Sequence, residues 1–336
     1  MSSPTGPAPG LPVRMPRPRQ SGRHRRPEPV AAPEGAPALV LAVPGTPSPA
    51  TRSLAEEIIS IARSELPGLE VGIGYLDGED ARTARAASNA ANASDADGTA
   101  GTESAGGSGY FEYPTLESVL ARTATLRTER YEIAKAAGRE VAEPEGPAAV
   151  VVPLLAGPDN VLMRRIRQAV LENRAAAELT DVLGPHPLLA EAVHVRLSEA
   201  SLARADRARL FTVATAADGI ILASVGGDEA VKAAGITGML LAARLAVPVM
   251  AAALDKEGSV AAIAEQLRQS GSTQLALAPY FIGPELPEGL LEAAVKEAGC
   301  SAAEPLGPYP AIGKLVLSQY TTTLGIAPQP QGSPVR

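Results

Sequence analysis

Two segments from the middle of the chain return, in the same order, near its end. VVVPLLAGPD (residues 150–159) lines up with ALAPYFIGPE (276–285), and LGPHPLLAEAVHVRL (183–197) lines up with LGPYPAIGKLVLSQY (306–320). Internal similarity of this kind marks one folding unit used twice, so any fold assigned to the chain must serve both halves. Each half reads as short apolar runs alternating with helical patterns. ALVLAV, a helix through TRSLAEEIISIARSEL, EVGIGYL, AAVVVPLL and a helix through VLMRRIRQAVLENRAA lead into ELTDVLG and LLAEAVHVRLSEA. The second half repeats the alternation from GIILASV to AIGKLVLSQY. Apolar runs too short for a helix, separated by 3.6-residue periodicity, predict an α/β fold. Two tandem similar domains are expected, each a parallel sheet with helices on both faces.

The remaining stretches set the boundaries. Residues 1–36 are crowded with Pro, Gly, Ser and Arg and hold too few large apolar groups to offset the entropy of ordering, which predicts a disordered tail. Arg23, Arg25 and Arg26 fall within it. A second low-complexity stretch, residues 79–110, interrupts the first unit with Ala, Ser, Asn and Gly and is expected to be a surface insertion. The expected domains are therefore 37–205 and 206–328, with a second tail at 329–336.

Composition excludes several classes of function. A net charge of -7 argues against general nucleic-acid binding, which draws on clustered basic side chains. No apolar run approaches the ~20 residues of a membrane span, and the arginine-bearing N-terminus lacks the apolar segment of a secretory signal, so a cytoplasmic location is expected. The single cysteine, Cys300, has no partner for an internal disulfide and is expected to be a small buried apolar residue.

In open parallel sheets ligands sit at the carboxyl ends of strands. Four segments leave such ends: VPGTPS, LLAGPDN, SVGGDE and FIGPELP. None has the spacing of a phosphate-binding or dinucleotide-binding loop, so no organic cofactor is expected. Taken together, the first strand with LAVPGT, the run VVVPLLAGPD and the turn LGPHP resemble the sirohydrochlorin chelatase family in its long two-unit form. In that family the first strand ends in Gly-His-Gly-Ser/Thr, the VVVPL strand is followed by Ala-Gly-x-His, and a Leu-Gly-Pro-x-Pro turn precedes a helix. The resemblance spans most of residues 38–324 outside the insertion.

It implies insertion of a divalent metal substrate, Fe²⁺ or Co²⁺, into a sirohydrochlorin-type tetrapyrrole for siroheme or cobalamin synthesis. The alternative is a non-catalytic tetrapyrrole- or metal-binding carrier or sensor. The family's two histidines fall here on Pro44 and Asp159, and the corresponding second-half positions are read as Gly226 and Glu285. Asp159 and Glu285 are therefore the candidate metal ligands, each with helix capping as its ordinary alternative. Gly45, Thr46, Gly226 and Gly227 would floor a cleft. Arg52, Arg164 and Arg165, with Arg167 beside them, would hold the macrocycle's carboxylates. His186 and His194 are expected to pack rather than react, and His24 falls in the tail. The assembly expected is a monomer with one inter-domain cleft, or a homodimer.

Overall fold

The computed structural model describes residues 31–33, 35–79, 112–141, 143–173, 176–203, 216–283, 285–286 and 289–325. Most of the N-terminal tail, including Arg23, Arg25, Arg26 and His24, lies outside the described residues. So do residues 80–110 of the insertion, residue 111 after it, and the C-terminal tail. Ala32, placed in the tail by its composition, donates its amide to the Pro67 carbonyl at 2.9 Å.

The first half runs β1 (Ala38–Val43), α1 (Pro49–Glu65), β2 (Val71–Tyr75), α2 (Leu116–Ala136), β3 (Ala149–Pro153), α3 (Asn160–Glu172), β4 (Ala177–Leu179) and α4 (Pro187–Glu199). The second runs β5 (Gly219–Ser224), α5 (Gly227–Leu245), β6 (Val249–Ala253), α6 (Ser259–Gln269), β7 (Leu275–Pro279), α7 (Leu290–Ala298), β8 (Ser301–Ala302) and α8 (Pro310–Thr323). The strands form two four-stranded parallel sheets, ordered β2-β1-β3-β4 and β6-β5-β7-β8. The expected α/β architecture with two similar units is what the chain adopts. The helix α2 was not legible from apolar periodicity, because only Leu116, Val119 and Leu120 of its 21 residues are buried.

Alternation along the central strands divides the core. Leu39, Leu41 and Val43 of β1 face one cluster, while Val40 and Ala42 face another. Ile220 and Leu222 of β5 join the same cluster as Leu39, whereas Ile221 and Ala223 point to the far side. One apolar cluster therefore lies between the two sheets, and α2 with α3 covers the outer face of the first while α6 with α7 covers that of the second. Strands buried on both faces need apolar residues at every position, which explains the unbroken runs.

The middle layer is made by exchange. Helix α8, the last of the second half, packs on α1 and β3, and α4, the last of the first half, packs on α5 and β7. Reciprocal bonds fasten the two. Arg196 of α4 donates through Nε and Nη2 to the Leu306 carbonyl at 3.1 and 3.0 Å, and its repeat-equivalent Gln319 of α8 donates to the Val182 carbonyl at 3.2 Å. Tyr320 donates from its hydroxyl to the Pro37 carbonyl at 2.6 Å. Close approach of α8 to α1 depends on Gly313, where a Cβ would come within 2.6 Å of the Ile61 Cβ and 2.9 Å of the Ile58 carbonyl oxygen.

Candidate functional site

Because both sheets are parallel, all four singled-out segments emerge from strand ends of the same kind. The 44–48 segment folds into a helix start. Ser48 caps α1 by accepting the Thr51 amide at 3.2 Å, and the Thr51 hydroxyl accepts the Ser48 amide at 2.8 Å in return. Pro49 opens the helix where a missing N–H costs nothing. Pro44 is buried, while Thr46 is exposed and Gly45 takes a positive φ of 79°. Strand pairing sets Ala42 opposite Pro153 and Ala223 opposite Pro279. That register makes Pro44 equivalent to Val225 and Gly45 to Gly226, a shift of one residue from the correspondence suggested by sequence.

The same register makes Asp159 and Glu285 true equivalents, yet they behave differently. Asp159 caps α3, its Oδ1 accepting the Val161 and Leu162 amides at 2.9 Å each. Glu285 turns back onto its own loop. Its Oε1 accepts the Ile282 amide at 2.6 Å and its Oε2 the Gly283 amide at 2.9 Å. The residue keeps some surface, but its carboxyl end is enclosed by protein. Burial pushes that carboxyl up to about 7; the amide bonds oppose the shift and Asp159 adds to it. Asp159 is thus near enough to act on Glu285. Among the described residues no group of three or more His, Cys, Asp or Glu side chains is placed to hold a metal ion.

The loop tips of the two halves touch. Gly226 has a φ of 115°, and a Cβ there would lie 2.6 Å from the Pro158 carbonyl oxygen and 3.1 Å from the Asp159 Cα. Only glycine permits both that dihedral and that approach. Tyr280, 2% exposed, reaches across the junction. Its hydroxyl shares a 2.9 Å hydrogen bond with Thr237, and a Cβ on Gly157 or Gly184 would come within 3.5 Å of the Tyr280 ring or 2.6 Å of its hydroxyl, respectively.

The Gly226 and Gly227 amides, expected from sequence to floor a cleft, donate to the protein's own Asp255 Oδ2 at 3.2 and 2.9 Å. Asp77 is the repeat-equivalent of Asp255 by strand register and takes a different partner, Arg165, whose Nη2 lies 2.5 Å from its Oδ1. Arg165 is therefore engaged by Asp77 and the Leu76 carbonyl, and Arg164 and Arg167 stand exposed on the same helix. Arg52 pairs with Glu56 at 2.8 Å and with Glu112 at 3.5 Å.

Asp77, Asp255 and Tyr280 were not singled out from sequence. The pair YLD and ALD, each following an edge strand, carried a signal for the first two. His186 caps α4, its Nδ1 accepting the Leu188 amide at 3.1 Å, and burial lowers its pKa. His194 is 5% exposed, and its Nδ1 accepts from Arg244 Nε at 2.9 Å. Cys300 is half-buried, and burial pushes the thiol up against the opposing effect of Arg268.

Fold and site together define an α/β protein of two similar units with exchanged terminal helices and apposed loop tips. No protein-family model matches the chain, and no curated protein matches it. Among solved structures it is similar to the Lac repressor dimer bound to operator and the anti-inducer ONPF, at 11% identity over 87% of this chain and 88% of that one, with a TM-score of 0.31. A conserved domain protein from Vibrio cholerae O1 biovar El Tor is similar at 10% identity over 86% and 84%, with a TM-score of 0.32. Among the described residues no helix is long and apolar enough to cross a membrane.

Proposed function

We propose that this chain is a chelatase-like protein of the cytoplasm that handles a divalent metal, Fe²⁺ or Co²⁺, and a sirohydrochlorin-type tetrapyrrole. The single observation supporting this reading is the meeting of two equivalent strand-end loops, which brings Asp159 and Glu285 into one electrostatic neighbourhood. Metal insertion removes two protons from pyrrole nitrogens as the ion enters. A proton acceptor works best when its pKa lies near the working pH. The usual imidazoles are replaced by Pro44 and Asp159. Glu285, held near 7, takes over as proton acceptor in this reading, and Asp159 offers oxygen to the incoming ion. Carboxylates are harder donors than imidazole, so metal capture is weaker than an imidazole pair provides.

A second reading, a non-catalytic tetrapyrrole or metal carrier, is favoured by the engagement of each carboxylate with two backbone amides. One experiment divides the two. Purified full-length protein is mixed with sirohydrochlorin and Fe²⁺ or Co²⁺, and the absorption spectrum is followed. Accelerated metallation that disappears in Glu285→Gln supports the enzyme. A spectral shift on binding without acceleration supports the carrier, and the absence of both rejects tetrapyrrole handling.

A further inference from the structure

Away from the loop tips, a cavity of about 410 Å³ opens along β2, the edge strand of the first sheet, between α1 and α2. That volume falls within the range of small-molecule sites. Its polar lining is Arg52, Arg63 and Arg122 against Glu56 and Glu112, with Tyr75 behind them. A neighbouring hollow of about 230 Å³ shares Arg63 and Arg122. Guanidiniums outnumber carboxylates here although the chain as a whole is acidic. Arg52 is committed to Glu56 and Glu112. Arg63 and Arg122 have no hydrogen-bond or ion-pair partner among the described residues, so two guanidiniums face the same space unneutralised.

The second observation is independent of charge. Tyr75 is 2% exposed and stacks edge-on against Tyr113 at 5.5 Å, yet its hydroxyl is buried with no hydrogen-bond partner among the described residues. A buried hydroxyl without a partner is unfavourable by about 1–3 kcal/mol, which is why such groups usually mark a missing ligand atom or water. Burial pushes this phenol up to about 12, with Arg52 and Glu56 close enough to act on it, so at neutral pH it keeps its proton and is available as a donor. The repeat-equivalent position in β6 is Ala253, so the feature belongs to the first half alone.

We propose that this cavity binds a small organic acid or phosphate ester, its anionic oxygens held by Arg63 and Arg122 and by the Tyr75 hydroxyl. Glu56 and Glu112 line the same wall and repel densely charged polyanions. They favour a ligand that also carries hydroxyl or amino donors. Guanidinium forks suit both carboxylate and phosphate, and the test separates the two.

Full-length protein is titrated with inorganic phosphate and, separately, with lactate, a hydroxy monocarboxylate, at constant ionic strength, by calorimetry and by the fluorescence of its tyrosines. The chain has seven tyrosines and no tryptophan, so the tyrosine signal is unobscured. The expected result is saturable one-site binding of at least one probe, the tighter one identifying the anion type. Replacing both Arg63→Gln and Arg122→Gln weakens it about tenfold or more, and Tyr75→Phe, which keeps the ring, weakens it about threefold. Asp159→Ala leaves it unchanged, which separates this site from the loop tips. Absence of saturable binding by either probe overturns the proposal, and so does unaltered affinity in the double arginine variant or in Tyr75→Phe.

Discussion

The loops that follow β3 and β7 start from equivalent prolines, Pro153 and Pro279, and then part company. After Pro153 comes Leu154, a core residue; after Pro279 comes Tyr280, which reaches over the first half's Gly157 and bonds Thr237. Asp159 caps its helix at once, whereas Glu285 folds back on its loop and α7 starts only at Leu290, behind Gly289 with no side-chain cap. A repeated unit is held to its pattern where strands pair and helices exchange, because each half must fit the other there. At the loop tip that demand lapses. The second half supplies the Tyr280 ring, received by Gly157 and Gly184 of the first, and the first supplies the Pro158–Asp159 turn, received by Gly226 of the second.

The largest expected effect tests this division directly. Tyr280→Ala removes a buried ring and orphans the buried Thr237 hydroxyl, and urea unfolding should show a loss of about 4 kcal/mol. Leu154→Ala at the equivalent place should lose about 3 kcal/mol. A Tyr280→Ala loss well below that of Leu154→Ala would break the contrast between the loops.

Next comes the pH dependence of Glu285. Its folded pKa of about 7 stands above its ordinary 4.5, so the folded state holds a proton that the unfolded state gives up. This group's contribution is fully present below the unfolded value and is lost as pH rises through 7. The loss amounts to about 3 kcal/mol and levels off at higher pH. Unfolding at pH 5 and pH 8 should show a decline that Glu285→Gln flattens, and an equal decline in both proteins would show the acid to be solvated.

The smallest effect lies at Asp159. Asp159→Ala should cost about 1 kcal/mol through loss of the α3 cap, while Asp159→Asn keeps most of it. Circular dichroism melts of the two variants compare them, and equal melting temperatures would remove capping as the role of that side chain.

Much of the fold was legible because its central strands are apolar at every position and its turns repeat. Leu183 with Gly184 and Leu306 with Gly307 announced the two exchanged helices, and VVVP with ALAP the two inner strands. What stayed hidden had no local signature. Helix α2 is polar beyond its first turn, so its period cannot be seen. The exchange itself rests on contacts such as Tyr320 to Pro37, far apart in the chain, and no window of sequence encodes a neighbour chosen from the other half. At the site, the equivalence of Asp159 and Glu285 was readable from the repeat. Their opposite uses were not, since an acid two residues after a glycine serves equally to cap a helix or to lock a loop. The Asp255 carboxylate on the Gly226 and Gly227 amides was missed because a sequence offers donors without saying which acceptor reaches them first.

The traded helices α4 and α8 make the protein indivisible. A chain severed between its halves would leave the inward side of each sheet covered only by α1 or α5 and each departing helix without the surface it packs on. Separate fragments should therefore hold together only as a reassembled pair. Two similar units make up the chain, and all of it is what must fold.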